Sequence, residues 1–411
     1  MKRAIALASV SLFFFNNVGL GIGYEKPVVW SGKYSGLGGA ATSSVSGAES
    51  LFFNPAGLGA MQGQADATLN FSPIVHKSSA PVTAPNTLTE SKRGLLPVGA
   101  LLASYKLAQG LGIGLGAYAG GGLAVDYGTV AMGFNTNPEL KTRLQDIELA
   151  AGASYEPLPH LSLGVAWRVS LSSSELFMAT VNPTAGTLTN TKLSNLAGTN
   201  FSGFRFGVQY RDGNNAWGVG ATLRTSVRLK MTGTATADVS TTTATTTANL
   251  GAAEASTTLP LQAGVGGDYL VMESVRLFGQ YDFTQYSANK TYDITVATVT
   301  TQVPMNWSNM HSVRVGMEFT GVQEWPIRAA YVFTSRVTPA DVPGIFVAPP
   351  AAAHTVAVGT GTLLSQNVRL DGGFDYAFAS GAGAPATGVT ALAGNYSTSA
   401  FSVHSGLSYY F

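Results

Sequence analysis

Cysteine is absent from all 411 residues. Its absence excludes disulfides, thiolate-bound metals and a lipidated N-terminal cysteine. Charge is scarce: Asp, Glu, Lys and Arg make up 11% of the chain, against roughly 25% in ordinary soluble domains. The formal net charge is +1, so no basic excess points to nucleic acid. His76, His160, His311, His354 and His404 lie scattered without metal-ligand spacing, and neither metal nor cofactor is expected. Beyond residue 23 no stretch offers the ~20 apolar residues of a membrane-crossing helix. Catalysis would need a nucleophile beside a base. No serine neighbourhood singles itself out beside His311 or His354, so no catalytic residue is expected.

Glycine, by contrast, is abundant at 49 residues, and aromatics make up 10%. The first 23 residues read as a secretory signal. Lys2-Arg3 supply the positive start, Ala4 to Phe15 the apolar stretch, and Gly19, Gly21 and Gly23 possible cleavage sites. An exported chain this poor in charge does not fit a typical soluble secreted protein.

The organising pattern beyond is period two. Leu161, Leu163, Val165, Trp167, Val169 and Leu171 alternate with Ser162, Gly164, Ala166, Arg168 and Ser170. Trp217, Val219, Leu223, Val227, Leu229 and Met231 share one face, against Arg224, Arg228 and Lys230 on the other. Residues 204–210, 313–319 and 368–378 repeat the pattern, with Arg205, Arg314, Glu318, Arg369, Asp371 and Asp375 on the polar side. A soluble sandwich and a membrane barrel both segregate charge this way. In a barrel one Arg on the lipid face costs about 2–4 kcal/mol at the midplane.

Connection length decides between them. About fourteen strands are readable, and the gaps between them alternate short and long. Short ones fall at 109–110, 157–160, 212–215, 271–274 and 321–324; long ones near 76–95, 121–143, 183–201, 232–257, 288–307, 335–352 and 379–398. An up-and-down antiparallel barrel has that rhythm, with short periplasmic turns and long external loops. The Thr/Ala tract at 232–258 reads as one of those loops. The expected fold is therefore all-β: a transmembrane barrel of about 14 strands over 61–411 in a bacterial outer membrane, both mature termini periplasmic. The last residues end on Phe411, with Tyr409 on the same face and Gly406 at a fixed offset. They resemble the terminal-strand signal read by the barrel-assembly machinery.

Residues 24–60 precede the first strand. They are too apolar to extend into water. A lumen of this size has room for a plug, so 24–60 are expected to form an N-terminal hatch inside it. Asn54 suits a helix cap and Pro55 a first helical position, so a short helix is expected to start there.

Two quoted runs carry more than composition. "SGLGGAA" (35–41, with Gly36 and Gly38) and "FFNPAGL" (52–58, with Asn54, Pro55 and Ala56) resemble the N-terminal hatch of outer-membrane hydrophobic-compound transporters. This is the long-chain fatty acid and toluene transporter family of FadL/TodX type. The resemblance continues through "GLAVDYG" (122–128), "YEPLPHLSLGVAW" (155–167), "FRFGVQYRDGNNAWGVGATLRTSVRLKMTG" (204–233), "LPLQAGVGGDYLV" (259–271) and "WPIRAAYVF" (325–333). It implies a fourteen-stranded barrel with a hatch, and passive transport of a hydrophobic small molecule. Loops capture the molecule, the hatch moves, and the ligand leaves sideways into outer-membrane lipid at a kinked third strand. The matching kink is Gly120, Gly121 and Gly122, with Gly122 the closest counterpart, and glycine also frees the backbone to bulge there. Ligand-contact candidates are Phe52 and Phe53 in the hatch, Leu123, Val125, Met132 and Phe134 in the loop after the kink, and Phe177 and Met178 on a long strand. Where the family often has an acidic pair, this chain has Ser46-Gly47-Ala48-Glu49, and no basic residue stands at a matching position to hold a carboxylate. Fatty acid and aromatic hydrocarbon both stay open as ligands. The competing reading is a structural or partner-binding barrel, such as a secretion component or adhesin, since fold does not fix function.

Overall fold

The computed structural model describes Tyr24 and residues 30–61, 63–385 and 392–411. The expected signal at 1–23 lies outside them. Among the described residues no helix is long and apolar enough to cross a membrane.

The chain forms one closed antiparallel barrel of fourteen strands. They are β1 (Ala65–Pro81), β2 (Gly94–Ala108), β3 (Leu111–Thr129), β4 (Glu139–Leu158), β5 (Leu161–Asn182) and β6 (Thr187–Arg211). Next come β7, in two runs (Trp217–Arg224 and Val227–Ser240), and β8, also in two (Thr245–Leu259 and Gln262–Met272). The ring is completed by β9 (Val275–Thr284), β10 (Met310–Phe319), β11 (Ile327–Thr334), β12 (Ala353–Leu363), β13 (Val368–Gly383) and β14 (Gly394–Tyr410). Each strand pairs with its chain neighbours, and β14 returns to β1, with Asp66 opposite Tyr410. The ring leaves no open edge.

Side-chain placement follows from which solvent each face meets. Leu95, Leu101, Leu115, Val265, Val315 and Val356 stand exposed on the outer wall, while Arg168, Arg328, Asp268, Asp371 and Asp375 are buried inside. A soluble sandwich would invert that arrangement. A lipid-facing barrel requires it.

The strands overrun the spans read from the sequence. A tilted strand crosses a bilayer in about 9–11 residues, yet β6 has 25. The Thr/Ala tract is not a loop: Val227–Ser240 pairs with Thr245–Leu259 as a long hairpin turning at 241–244. The expected long connections at 121–143 and 183–201 shrink likewise, because β3, β4 and β6 extend into them. Above the membrane both faces meet water or protein, so period two fades, while threonine keeps its strand preference.

One face assignment is corrected. Val227, Leu229 and Met231 do not share the outer face with Trp217, Val219 and Leu223; they point inward and are buried. The ladder is interrupted at 225–226 on β7 and at 260–261 on β8, at the same level, since Arg224 pairs with Gln262 and Val227 with Leu259. Each interruption shifts the alternation by one step. Proline at position 260 cannot donate to a ladder. The exposed carbonyl of Thr225 is taken by the Arg168 guanidinium at 3.1 Å, and the Asn289 side chain bonds both main-chain groups of Thr258, at 3.0 and 2.8 Å. Above the breaks, Arg228 and Lys230 face outward, beside Asp293 and Glu254. The barrel thus turns inside out at this level: charged outside and apolar inside.

Residues 30–61 are almost wholly buried. Their short turn Ser35–Leu37 lies against β10 to β13, and Pro55–Gly59 against β2 to β6, so the segment reaches both sides of the ring. Glycine allows the close approach: a Cβ on Gly36 would sit 2.8 Å from the Gly359 Cα, and Gly38 adopts a left-handed φ of 62°.

Candidate functional site

The site is built in three layers. The upper layer is the apolar interior above the ladder breaks, where Leu193, Val227, Met231, Leu259, Trp307 and Met310 are buried together. Tyr24 stands among them, its ring 5.0 Å from Trp307 and its hydroxyl 2.5 Å from Thr257 Oγ1.

Below lies an aromatic floor. Phe52 and Phe53 meet edge to face at 4.9 Å, and Phe52 contacts Trp30 and Tyr118 at 4.9 and 5.2 Å. The four-residue helix Ser50–Phe53 presents the two rings, and the following turn fixes it. Asn54 caps Pro55–Gly59 by accepting from the Ala56 N–H, and its amide donates to the carbonyls of Thr42, Val208 and Ala221. The expected short helix at Pro55 is a 3₁₀ turn. A cavity of about 90 Å³ lies beside the floor, lined by Phe52, Phe53, Gly120, Arg205 and Met310 among others.

The third layer is a buried charge cluster. Glu148 accepts from both Arg168 and Arg224, the latter at 2.7 Å, and Asp146 accepts from Ser172 at 2.7 Å. Arg205 differs from its neighbours. It is 6% exposed, it makes no hydrogen bond to Glu148 although that carboxylate lies within electrostatic reach, and the Phe52 ring stands 5.0 Å from its guanidinium. Arg205 also lines the cavity, so the hydrogen-bonding capacity of a buried cation meets that space.

The wall beside these layers is broken. The β2–β3 ladder ends at Ala100 opposite Tyr118, although β2 continues to pair with β1 as far as Gly94. On its other side β3 carries an extra residue at Gly120, between Ala119 opposite Ile147 and Gly121 opposite Asp146. A Cβ there would lie 2.6 Å from Glu148 Cγ and 2.8 Å from Asp146 Oδ2. The gap is closed above by the Lys92 N–H, which donates to the Asp126 carbonyl at 2.7 Å. From inside, the Gly122 N–H donates to the Tyr24 carbonyl at 2.7 Å.

The fold gathers some of the named residues and separates others. Phe52, Phe53 and Gly120 line one cavity. Leu123 belongs to the upper apolar layer, and Met178 packs against it. Leu123 and Val125 lie on β3 itself, not in a loop. Val125 and Met132 join a neighbouring cluster with Tyr127 and Tyr396. Phe177 stands under Lys141, 4.2 Å from its ring centre. Neighbours on a strand point to opposite faces, so Phe177 shares the outer side with Lys141 while Met178 turns inward. Phe134, in the connection before β4, joins none of these clusters. Gly406 is an inward position whose Cβ would meet Asn70 Oδ1 at 2.6 Å, whereas Tyr409 and Phe411 are exposed, their rings 4.5 Å apart.

These features have counterparts in known proteins. Residues 30–411 match the family described as outer membrane protein transport protein (OMPP1/FadL/TodX). The chain belongs to this family. The Pseudomonas putida toluene transporter TodX superposes with a TM-score of 0.76 at 15% identity, covering 93% of this chain and 98% of that one. A Pseudomonas aeruginosa FadL homologue gives 0.74 at 14%, covering 94% and 99%. The monoaromatic hydrocarbon channel CymD gives 0.71 at 16%, covering 97% and 99%. No curated protein sequence matches the chain. The match places it among outer-membrane transport proteins, a family of channels rather than enzymes.

Proposed function

We propose that this protein conducts hydrophobic compounds passively across the bacterial outer membrane, with residues 24–60 as a hatch. The rim carrying the long hairpins faces outward and the short turns face the periplasm, where both mature termini lie. Gly406, Tyr409 and Phe411 belong to the strand offered to the assembly machinery. The ligand enters among the hairpins, rests in the apolar layer and passes Phe52 and Phe53. It leaves for the lipid through the gap between β2 and β3. The observation that carries this reading is the inversion at the ladder breaks: an apolar chamber stacks on a glycine-lined interruption of the wall. TodX and CymD are named for toluene and monoaromatic hydrocarbons. Arg205, which makes no hydrogen bond to a carboxylate, adds a preference here for an apolar body with one anionic group, because a ligand carboxylate would bond the guanidinium.

The test is to purify the barrel in detergent, extract it with organic solvent and identify bound molecules by mass spectrometry, beside detergent-only and 24–60-deleted controls. A fatty acid or hydrocarbon that disappears with the hatch supports the reading. An empty extract after incubation with fatty acids and aromatics counts against it and favours a partner-binding barrel.

A further inference from the structure

Three wall residues on three strands form a continuous chain of hydrogen bonds. Ser72 on β1 lies with Oγ 2.8 Å from His404 Nδ1 on β14, and His404 Nε2 lies 2.5 Å from the Asp375 carboxylate on β13. All three are buried. Ser, His and Asp are also the residues of a hydrolytic relay, but this serine faces the N-terminal segment: its Oγ donates to the Trp30 carbonyl at 2.9 Å. None of the three lines the cavity beside Arg205. Ser72 gives its one proton to the Trp30 carbonyl, and its Oγ and the Asp375 carboxylate flank the two ring nitrogens of His404. The relay ends on a main-chain atom of the segment.

Trp30 is held from a second direction. Its indole Nε1 donates to the Ala119 carbonyl at 3.2 Å, one residue before the extra Gly120. Its ring packs on Phe52 and Tyr118. Ser72 is paired with Val98, within the part of β2 that has no β3 partner. Trp30 therefore reaches from the β1–β2 side of the gap to the β3 side, across the place where the ladder is missing.

We propose that Ser72, His404 and Asp375 are positioning residues for transport: they set Trp30 as a bracket across the β2–β3 gap and keep the floor closed. The proposal rests on the lateral route above for its purpose, but not for its geometry. Breaking the relay frees the Trp30 main chain, loosens the indole from Ala119 and opens the gap.

The absence of cysteine makes the test clean. Ala119→Cys, a buried position whose carbonyl is unchanged by the substitution, is introduced as the sole thiol. The full chain is refolded into phosphatidylcholine vesicles and labelled with N-pyrenylmaleimide, a lipophilic reagent. Adding His404→Gln or Ser72→Ala is expected to raise the labelling rate fivefold or more, and Ser72→Thr, which keeps the hydroxyl, to restore it. Trp30→Phe leaves the wall untouched and removes the indole donor together with part of the ring that packs on Phe52 and Tyr118; it too should label faster. Folding is checked by heat-modifiable migration. Should His404→Gln not fold, the Ser72 pair carries the test, since Thr rescue reads position and not barrel formation. Parental labelling in folded Ser72→Ala overturns the relay, and parental labelling in Trp30→Phe overturns the bracket. Uptake of a neutral naphthalene probe by the same vesicles examines the route separately. Faster labelling with unchanged uptake overturns lateral passage and leaves the bracket standing.

Discussion

The Arg205 guanidinium lies 5.0 Å from the centre of the Phe52 ring, with no carboxylate bonded to it. Around it, Arg168 and Arg224 share Glu148. A ring face compensates a cation only in part. On the reading proposed above, a ligand carboxylate would supply the rest. A hydrogen bond to a charged group contributes about 1.5–3 kcal/mol. Arg205→Met keeps most of the volume and removes the charge. It should weaken binding of a long-chain fatty acid roughly 10- to 100-fold on that scale, and leave the alcohol of equal length nearly unchanged. Displacement of a fluorescent ligand from purified barrel measures both. Equal weakening of acid and alcohol would show that Arg205 only shapes the pocket.

The bulge at Gly120 is a single extra residue. Deleting it would let Ala119 and Gly121 join one regular ladder with Ile147 and Asp146, and would draw β3 back toward β2. Uptake of a neutral apolar compound should fall severalfold while the barrel still folds and shifts on heating. Normal uptake by the deleted form would argue for exit through the periplasmic mouth.

The strand count and the lipid belt were legible because lipid enforces period two on every crossing. Charged residues such as Arg205, Arg314 and Asp371 could be placed inside without any structure. Outside the membrane that constraint ends, and so did the reading: the Thr/Ala hairpin looked like a loop. Val227, Leu229 and Met231 were assigned outward because the break at 225–226 leaves their spacing from Trp217 even. Pro260 on the facing strand was the available warning. The NPA run and the glycines at 120–122 were singled out from motifs. Arg205 and the Ser72–His404–Asp375 relay were not, since each depends on strands far apart in sequence meeting at one level. Phe177 and Met178 could have been separated by alternation alone, as adjacent strand residues cannot both face the lumen.

Asn54 is fully buried, and its amide bonds the carbonyls of Val208 and Ala221, which face each other in the β6–β7 ladder. Asn54→Ala removes those bonds and the cap. Each buried group left unpaired costs about 1–3 kcal/mol, falling on segment 30–61 and not on the barrel. Limited proteolysis should cut that segment faster, with heat-modifiable migration unchanged. Gly207→Ala would place a Cβ 1.8 Å from Asn54 Oδ1, so it should be damaging alone and milder in the Asn54→Ala background. Strictly additive effects in that double-mutant cycle would refute the contact.

Glu49 is expected to make the docking of segment 30–61 pH-dependent. Burial pushes its carboxyl up to about 7, opposed by hydrogen bonds from Ser31 and Asn70 and by the charge of Lys33. Ser31 Oγ and Asn70 Nδ2 both donate to Oε1 at 2.9 Å, so the neutral acid keeps both bonds. The docked state therefore binds a proton that the undocked state releases nearer the ordinary carboxylate value of 4.5. A raised acid stabilises docking fully at low pH, and that contribution is lost as pH rises toward 7. Protease cutting within 30–61 should accelerate between about pH 5 and pH 7 and level off above, following the two titration points. Glu49→Gln can still accept both donors at Oε1 and cannot ionise. Its cutting rate should be flat across that range and, at pH 8, slower than the parent's. A parent-like pH profile in Glu49→Gln would assign the dependence to another group and leave Glu49 as packing alone.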